Sequence, residues 1–191
     1  MSSSNKWKEL GRPVVVLGAV CLIVTALLAV TNQFTAPIIE RNAKAKADAS
    51  RRVVLEAGAD FEEVRLDPTL IAEKKVEEVY KAGNGAGCTV TTALNGYGGT
   101  VRIMFGVTAE GKIAGVEVLE HNETKGLGER ITTDAFKNQF IGKSGALSVT
   151  KGSAGDQEIA ALTGATISSK AMTDSANAAL EVAAMVMKGE G

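Results

Sequence analysis

The sequence predicts an α+β protein in which one N-terminal transmembrane helix precedes an antiparallel sheet flanked by helices. Three observations lead to this fold class. Val14 to Val30 is a run of seventeen residues without a charge, and a membrane span needs about 17–25 apolar residues. Val101, Ile103, Phe105 and Val107 alternate with other residues, which is typical of a half-buried strand. The C-terminal segment carries apolar side chains at helical spacing, as a helix packed on a sheet does.

The apolar run divides the chain into four parts. We expect a cytoplasmic tail at 1–13, a transmembrane helix at 14–34, a helical spacer at 35–75 and a folded domain at 76–191. A cleaved signal peptide is the alternative interpretation, but its apolar region is usually about 7–15 residues long. The run here is longer and no clean cleavage site follows it, so an uncleaved anchor is favoured.

The charges beside the span leave its orientation open on simple counting. Lys6, Lys8 and Arg12 precede the span, and a basic tail holds the N-terminus in the cytoplasm. Basic residues also follow the span, namely Arg41, Lys44, Lys46, Arg51 and Arg52. Because a long domain translocates largely regardless of its charges, the short tail favours a domain outside the cytoplasm.

The spacer is predicted to be helical, because Ile38 to Ala57 is rich in Ala, Glu, Lys and Arg. Pro37 suits the first turn of such a helix and Gly58 the position after its end. Strands follow at Val76 to Tyr80, Ala86 to Leu94, Val101 to Val107 and Ile113 to Leu119. A short helix is expected at Thr132 to Phe140 and a final one at Ser169 to Lys188. The face of the final helix that we expect in the core comprises Met172, Ala176, Leu180, Ala183 and Met187.

Composition excludes several classes of function. The formal net charge is -1 and aromatic residues make up 4% of the chain, so neither phosphate neutralisation nor base stacking on nucleic acid is indicated. Cys21 and Cys88 are expected to be small buried hydrophobes. With His121 as the single histidine, neither a Cys–His metal site nor a nucleophile–His–acid trio is indicated.

Hydroxyl and small residues are concentrated at 163–169, where the final helix begins. Gly164 and Ala165 let a bulky ligand approach the backbone, and Ser168 or Ser169 can cap the helix. The free N–H groups and positive dipole end of a helix N-terminus suit a phosphate, and the Thr166 hydroxyl lies beside them. The alternative is that these Ser and Thr residues only cap the helix.

Three stretches of the sequence resemble the FMN-binding domain family. Thr163 to Ser169 is similar to its flavinylation motif, and Gly96 to Gly99 with Ile103 to Gly115 is similar to its strand pair. Glu120 to Gly128 is similar to its His-x-Glu-Thr-Pro-Gly-Leu-Gly loop. The resemblance covers about Val76 to Met187 and implies an FMN joined to Thr166 by a phosphoester, which a dedicated flavin transferase forms.

The resemblance also implies a set of residues around the flavin. In the loop, Gly126 and Gly128 permit tight turning, Leu127 offers apolar area, and Glu123 and Thr124 offer hydrogen bonds, the mixture that flavin sites need. An ordinary polar loop is the alternative. The remaining candidates for FMN contact are Tyr97, Thr163, Gly164, Ala165, Ser168 and Ser169.

Two positions depart from the family pattern. Ala160 stands where the family usually has Asp, which puts recognition by the transferase in doubt. Lys125 replaces the usual Pro, which makes the loop less rigid. Within the family the chain resembles the G subunits of Rnf-type ferredoxin:NAD oxidoreductases, which implies an electron relay among other membrane and peripheral subunits. A component like the C subunit of a sodium-pumping NADH:quinone reductase and a non-redox, membrane-anchored binding module are the alternatives.

Overall fold

One long helix, α1 (Ser3–Val54), occupies the N-terminal part of the chain in the computed structural model, which describes residues 3–189. The chain divides into two units between Ala45 and Lys46. The first contains most of α1, and its apolar side chains are exposed, as Leu22 (73%) and Leu28 (65%) illustrate. Within the described residues, this is the one helix long and apolar enough to cross a membrane.

Helix α1 differs from the predicted pair of helices on either side of Pro37. Pro13 and Pro37 both lie inside it, although a proline removes one intrahelical hydrogen bond. The expected second helix is therefore the continuation of the first. It ends at Val54, three residues before the predicted end at Ala57.

The second unit is built on a five-stranded antiparallel sheet with sequential strand order. Its strands are β1 (Phe61–Glu63), β2 (Val76–Ala82), β3 (Gly87–Asn95), β4 (Thr100–Thr108) and β5 (Ile113–Glu120). The predicted α+β fold with an N-terminal apolar helix is confirmed. The region expected to be helical spacer also contains β1 and the helix α2 (Pro68–Lys74). Three residues are too few to show strand periodicity, which is why β1 was not predicted.

A long helix packs against one face of this sheet: α4 (Thr166–Lys188), numbered after the short α3 (Asp134–Lys137). Met172, Ala176 and Ala183 are fully buried beside the inward-facing Ile103 and Phe105 of β4. Leu180 from the predicted apolar face is also buried, and Met187 is half-buried against the same core. The small residues of α4 let the helix axis approach the strands closely, so the backbone of its first turn is held at a defined place over the sheet.

The connection from β5 to α4 contains four short elements. A 3₁₀ turn (Gly128–Thr132) and α3 replace the single helix predicted at Thr132 to Phe140. Phe136 and Phe140 nevertheless lie on one side, with ring centroids 5.7 Å apart in an edge-on arrangement. The strands β6 (Ser148–Thr150) and β7 (Glu158–Ala160) then form a small parallel pair.

Two side-chain amides fasten this connection, one to another part of itself and one to α4. The Gln139 amide bonds both the N–H (2.8 Å) and the carbonyl (3.4 Å) of Ala160. The Asn177 amide on α4 likewise bonds the N–H (2.8 Å) and the carbonyl (2.9 Å) of Leu147. The chain is thereby fixed immediately before α4 begins.

The end of α1, which belongs to the second unit, covers the other face of the sheet. Arg51 is 5% exposed; its guanidinium lies 3.5 Å from the centroid of the Tyr80 ring and bonds the carboxylates of Asp48 and, at 2.9 Å, Glu78. Such a buried cation is stabilised by its carboxylate partners and by the aromatic face. The interaction fixes the last turns of α1 to β2.

Cys88 lies in β3 and is fully buried, as predicted. Burial raises the pKa of its thiol to about 12, although nearby Lys81 opposes the shift. The thiol is therefore protonated and shielded at neutral pH. Cys21 is exposed on α1 and free, which differs from the burial expected of it.

A close approach between α1 and the sheet generates a stability prediction. Gly106 and Gly115 pair across β4 and β5, and a Cβ on either would collide with the Val54 backbone. We expect Gly106→Ala to lower the free energy of unfolding of the full-length protein in detergent by about 1–3 kcal/mol, because backbone atoms must shift. Urea denaturation followed by circular dichroism measures this.

Gly152→Ala is the matched control, since a Cβ there meets nothing within 4 Å. It should change the free energy of unfolding by no more than about 0.5 kcal/mol. Equal stability of the two variants would contradict the packing of Val54 on this pair of glycines.

Candidate functional site

A cavity of about 420 Å³ lies where three segments of the second unit meet. The segments are the turn between β3 and β4, the loop after β5, and the first turn of α4. The lining residues are Tyr97, Glu123, Thr124, Leu127, Gly128, Gly164, Ala165, Thr166, Ile167 and Ser168. Nine of the twelve residues predicted to contact a cofactor are thus brought together around one space.

The first turn of α4 offers unsatisfied N–H groups to this cavity. Thr166 is the first residue of the helix and is exposed, and Ala165 before it is the N-cap but has no side-chain group to cap with. Because the first N–H groups of a helix have no intrahelical partner, this end attracts an anion. A phosphate and the Thr166 hydroxyl would therefore be neighbours.

The expectation that Ser168 or Ser169 caps α4 is wrong. Both lie inside the helix, and no side chain caps its N-terminus. The buried Ser169 hydroxyl instead accepts a hydrogen bond from the N–H of Leu162 at 3.0 Å and donates one to the carbonyl of Ala165 at 2.9 Å. Ser169 therefore shapes the turn that leads into the helix and does not line the cavity.

Gly164 joins this turn to the loop on the opposite wall. Its φ of +79° lies in the left-handed region, which glycine adopts without strain. A Cβ at Gly164 would stand 3.2 Å from the Leu127 Cδ2 atom. Both the conformation and the space at this position therefore favour glycine in the motif.

The Glu123 carboxylate connects all three walls. It is 6% exposed and accepts hydrogen bonds from the N–H of Tyr97 (2.8 Å), from the N–H of Gly98 (3.4 Å) and from the Ser168 hydroxyl (2.8 Å). The sequence predicted Glu123 as a hydrogen-bonding residue for the cofactor. In the structure its oxygens are engaged by the protein's own donors.

The rim of the cavity is apolar and exposed. Tyr97 is 71% exposed, Ile167 56% and Leu127 46%, so three large side chains stand beside the N-terminus of α4 with much of their surface uncovered. Ile167 was missed by the sequence analysis. Its signal is an apolar, β-branched residue that follows Thr166 but falls outside the buried stripe of α4.

Three predicted residues do not line the cavity, namely Thr163, Gly126 and Ser169. Thr163 is exposed in the turn before α4, and Gly126 has a φ of +74°, which lets the loop reverse direction. His121 has a structural role, because its Nδ1 accepts a hydrogen bond from the N–H of Glu123 at 3.3 Å. These residues support the shape of the site.

Two other hollows, each about 590 Å³, are larger but lack this chemistry. One is lined by charged residues including Arg52, Glu56 and Asp60, and the other lies beside Val53 and Glu110. Neither contains the N-terminus of a helix. Among the described residues there is also no cluster of three or more potential metal ligands.

The residues of the 420 Å³ cavity fit an FMN. An uncapped helix N-terminus suits its phosphate, the exposed Thr166 residue carries a hydroxyl, and the apolar rim suits a flat ring system. No bound group is needed to explain the contacts of Glu123, because the protein supplies its donors.

Two families of known proteins match parts of this chain. The FMN-binding domain family matches residues 96–181, which include all three walls of the cavity. A second family, the RnfG N-terminal region, matches residues 1–52, which contain the apolar part of α1. Together with the apolar helix, these matches indicate a membrane protein.

Relatives are similar over nearly the whole chain. The G subunit of the Na(+)-translocating ferredoxin:NAD(+) oxidoreductase complex of Acetobacterium woodii is 34% identical, over 92% of both chains. The G subunit of the proton-translocating complex of Clostridium ljungdahlii is 30% identical over 84% of both chains. The C subunit of the Na(+)-translocating NADH-quinone reductase of Parabacteroides distasonis shares the fold, with a TM-score of 0.51, 21% identity, and coverage of 75% of this chain and 82% of that one. The chain therefore belongs to the FMN-binding domain family and, within it, to the family of RnfG proteins, the G subunits of ion-translocating ferredoxin:NAD oxidoreductase complexes.

Proposed function

We propose that this protein is the membrane-anchored flavoprotein subunit of an ion-translocating electron transport complex and relays electrons through an FMN joined covalently to Thr166. The observation that carries the proposal is the position of Thr166, exposed at the uncapped N-terminus of α4 on the wall of an apolar-rimmed cavity. A hydroxyl and an anion-binding backbone are thus side by side.

Each part of the cavity has a role in holding the cofactor. The N–H groups of the first turn of α4 bind the phosphate, and the rim residues Tyr97, Leu127 and Ile167 supply contact area for the ring. The bound FMN supplies the chemistry, which is the acceptance and release of electrons. The protein positions it and limits its contact with water.

The phosphoester requires a partner for its formation. The Thr166 oxygen would attack the flavin-side phosphorus of a flavin nucleotide carrying a phosphoanhydride, and the other nucleotide half would leave with the bonding electrons. A base of a flavin transferase takes the hydroxyl proton.

Ala160, where the family usually has Asp, lies on β7 with both backbone groups bonded to Gln139. The approach to the motif is thus held by the Gln139 side-chain amide on the Ala160 backbone, and not by a carboxylate at position 160.

Electrons must enter and leave through other subunits. The whole chain has two cysteines, fewer than the four thiolates of an ordinary iron–sulfur cluster, and no dinucleotide-binding glycine motif follows a strand. One apolar helix cannot enclose an ion path alone, because polar pathways need several helices around them. The relay therefore works inside a complex with membrane and peripheral subunits.

A role like that of the RnfG relatives is better supported than one like that of the quinone reductase component. The RnfG relatives are at least 30% identical over most of their length. The likeness to the C subunit of the NADH-quinone reductase, at 21% identity, concerns the fold. The position of Thr166 beside an anion site also favours a redox role over a non-redox binding module.

We also propose a single-pass topology with the FMN-binding domain outside the cytoplasm. The basic residues Lys6, Lys8 and Arg12 in the short tail favour a cytoplasmic N-terminus. The basic residues after the span do not decide against this topology, because a long domain translocates largely regardless of its charges.

Thr166→Ala should abolish covalent flavin. With the transferase co-expressed, the wild-type protein should fluoresce under ultraviolet light on a denaturing gel, and the Thr166→Ala variant should not. The thermal unfolding midpoint should stay nearly unchanged, because the Thr166 side chain is exposed. Thr163→Ala, which removes the other exposed hydroxyl of the motif, is the control and should keep the fluorescence. Covalent flavin on Thr166→Ala would refute the attachment site.

Ser153→Cys should react with a membrane-impermeant maleimide in intact cells. Ser153 is exposed in the second unit. Little background labelling is expected from wild type, because Cys88 is buried with a pKa raised to about 12 and Cys21 lies in the span. Ser4→Cys is the matched control and should react only after the membrane is opened. Labelling of Ser4→Cys alone in intact cells would reverse the topology.

The purified protein should show negligible NADH oxidation when alone. Once flavinylated, its absorbance should bleach with dithionite and recover with a chemical oxidant as expected for one FMN. This follows because the described residues 3–189 offer one proposed flavin site and the sequence has no nicotinamide-binding glycine motif. Rapid, saturable NADH turnover without any partner would make the protein an enzyme in its own right and overturn the proposal.

A further inference from the structure

Glu123 is a buried carboxylate whose hydrogen-bond partners are all electrically neutral. Two backbone N–H groups and one hydroxyl donate to it. Among the described residues, no lysine, arginine or histidine forms an ion pair with it. The neighbouring cations in sequence and on α4, Lys125 and Lys170, are exposed, so water screens them. The cavity wall therefore carries a fixed negative charge.

The carboxylate is also held rigidly by the glycines around it. A Cβ at Gly96 would collide with the Glu123 Oε1 atom, and a Cβ at Gly128 would collide with Oε2. At Gly128 the added atom would also lie 2.8 Å from the Ser168 hydroxyl. The backbone lies close to the carboxylate on both sides, which leaves little space for the carboxylate to move relative to the α4 N-terminus.

We propose that Glu123 is a positioning residue that joins the walls of the cavity, and that its negative charge lowers the reduction potential of the flavin held there. The inference rests on the proposed FMN site. It concerns a side chain that does not itself need to touch the flavin.

The electrostatic part of the proposal follows from charge balance. One electron passed from a donor subunit to the site adds one negative charge, unless a proton from water accompanies it. A nearby carboxylate opposes that addition, and it does so more strongly in a buried site than in water. The neutral hydrogen-bond donors reduce the repulsion between the carboxylate and the added electron but cannot cancel it. The flavin should therefore hold electrons less tightly than it would beside an uncharged residue.

Glu123→Gln tests the charge while keeping the shape. The amide oxygen can still accept from the N–H of Tyr97 and Gly98, and the amide nitrogen can donate to the Ser168 oxygen. We expect the midpoint potential of the full-length flavinylated protein, titrated with dithionite and redox mediators, to become more positive. Glu120→Gln is the matched control, because that side chain is 65% exposed. It removes the same charge and should leave the potential nearly unchanged.

Ser168→Ala gives a prediction of opposite sign. It removes one of the donors that stabilise the carboxylate, so the remaining charge is less compensated. The midpoint potential should become more negative than that of the wild type. A merely structural role for Glu123 would not produce shifts of opposite direction in these two variants.

The positioning part is tested on the protein without flavin. Glu123→Ala removes all three hydrogen bonds of the carboxylate at once, whereas Glu123→Gln can keep them. The thermal unfolding midpoint of Glu123→Ala should therefore lie well below that of Glu123→Gln. Flavin attachment by the transferase should fall in the same order, since the Ser168 turn is no longer fixed. Equal midpoints for the two variants would overturn the positioning role.

The charge role has its own refutation. Equal potentials for Glu123→Gln, Glu120→Gln and the wild type would overturn it, even if flavin binds normally. Failure of the wild type to take up any flavin would instead refute the proposed function. The comparison of Glu123→Ala with Glu123→Gln would still decide the positioning role in that case.

Discussion

The buried carboxylate of Glu123 is the constraint on which the cavity depends. Placing an ionised group away from water is costly unless hydrogen bonds replace its hydration, and here the turn after β3 and the Ser168 hydroxyl do so. The backbone can lie against the carboxylate on both sides only because Gly96 and Gly128 have no side chains. One charged group thus joins the loop after β5 to the turn after β3 and to the first turn of α4.

The sheet topology brings those segments together. Strand β4 runs antiparallel to both of its neighbours, so the turn between β3 and β4 and the loop that follows β5 emerge at the same end of the sheet. Helix α4 lies across one face and points its N-terminus towards that end. Without a side-chain cap, this end of α4 is less stable than a capped one. Functional sites often have such locally unfavourable features. The last turns of α1 cover the opposite face, where Gly106 and Gly115 admit the Val54 backbone.

These features show that a binding site for a flavin electron carrier needs few structural features. The chain provides a helix N-terminus for an anion, a hydroxyl beside it, an apolar rim and a fixed charge. In the proposed function, electron supply and ion movement belong to other subunits. The buried Arg51 has a comparable role on one face of the sheet, since its contacts with Tyr80 and Glu78 fix the end of α1 to β2. Buried charges therefore fix two places in the second unit: Glu123 at one end of the sheet through neutral donors, and Arg51 on one face of the sheet through carboxylates and a ring.

The sequence by itself determined the apolar helix, the strands β2 to β5, the final helix and the segment around Thr166. Each of these rests on a local pattern, either periodic hydrophobicity or a short motif. The tertiary structure alone decided the short strands β1, β6 and β7, the continuation of α1 through Pro37, and the role of Ser168, which binds Glu123 instead of capping α4. It also added Ile167 to the cavity. The physical reason is distance along the chain: Glu123 lies 26 residues from Tyr97 and 45 from Ser168, and no local pattern records a contact that only folding creates.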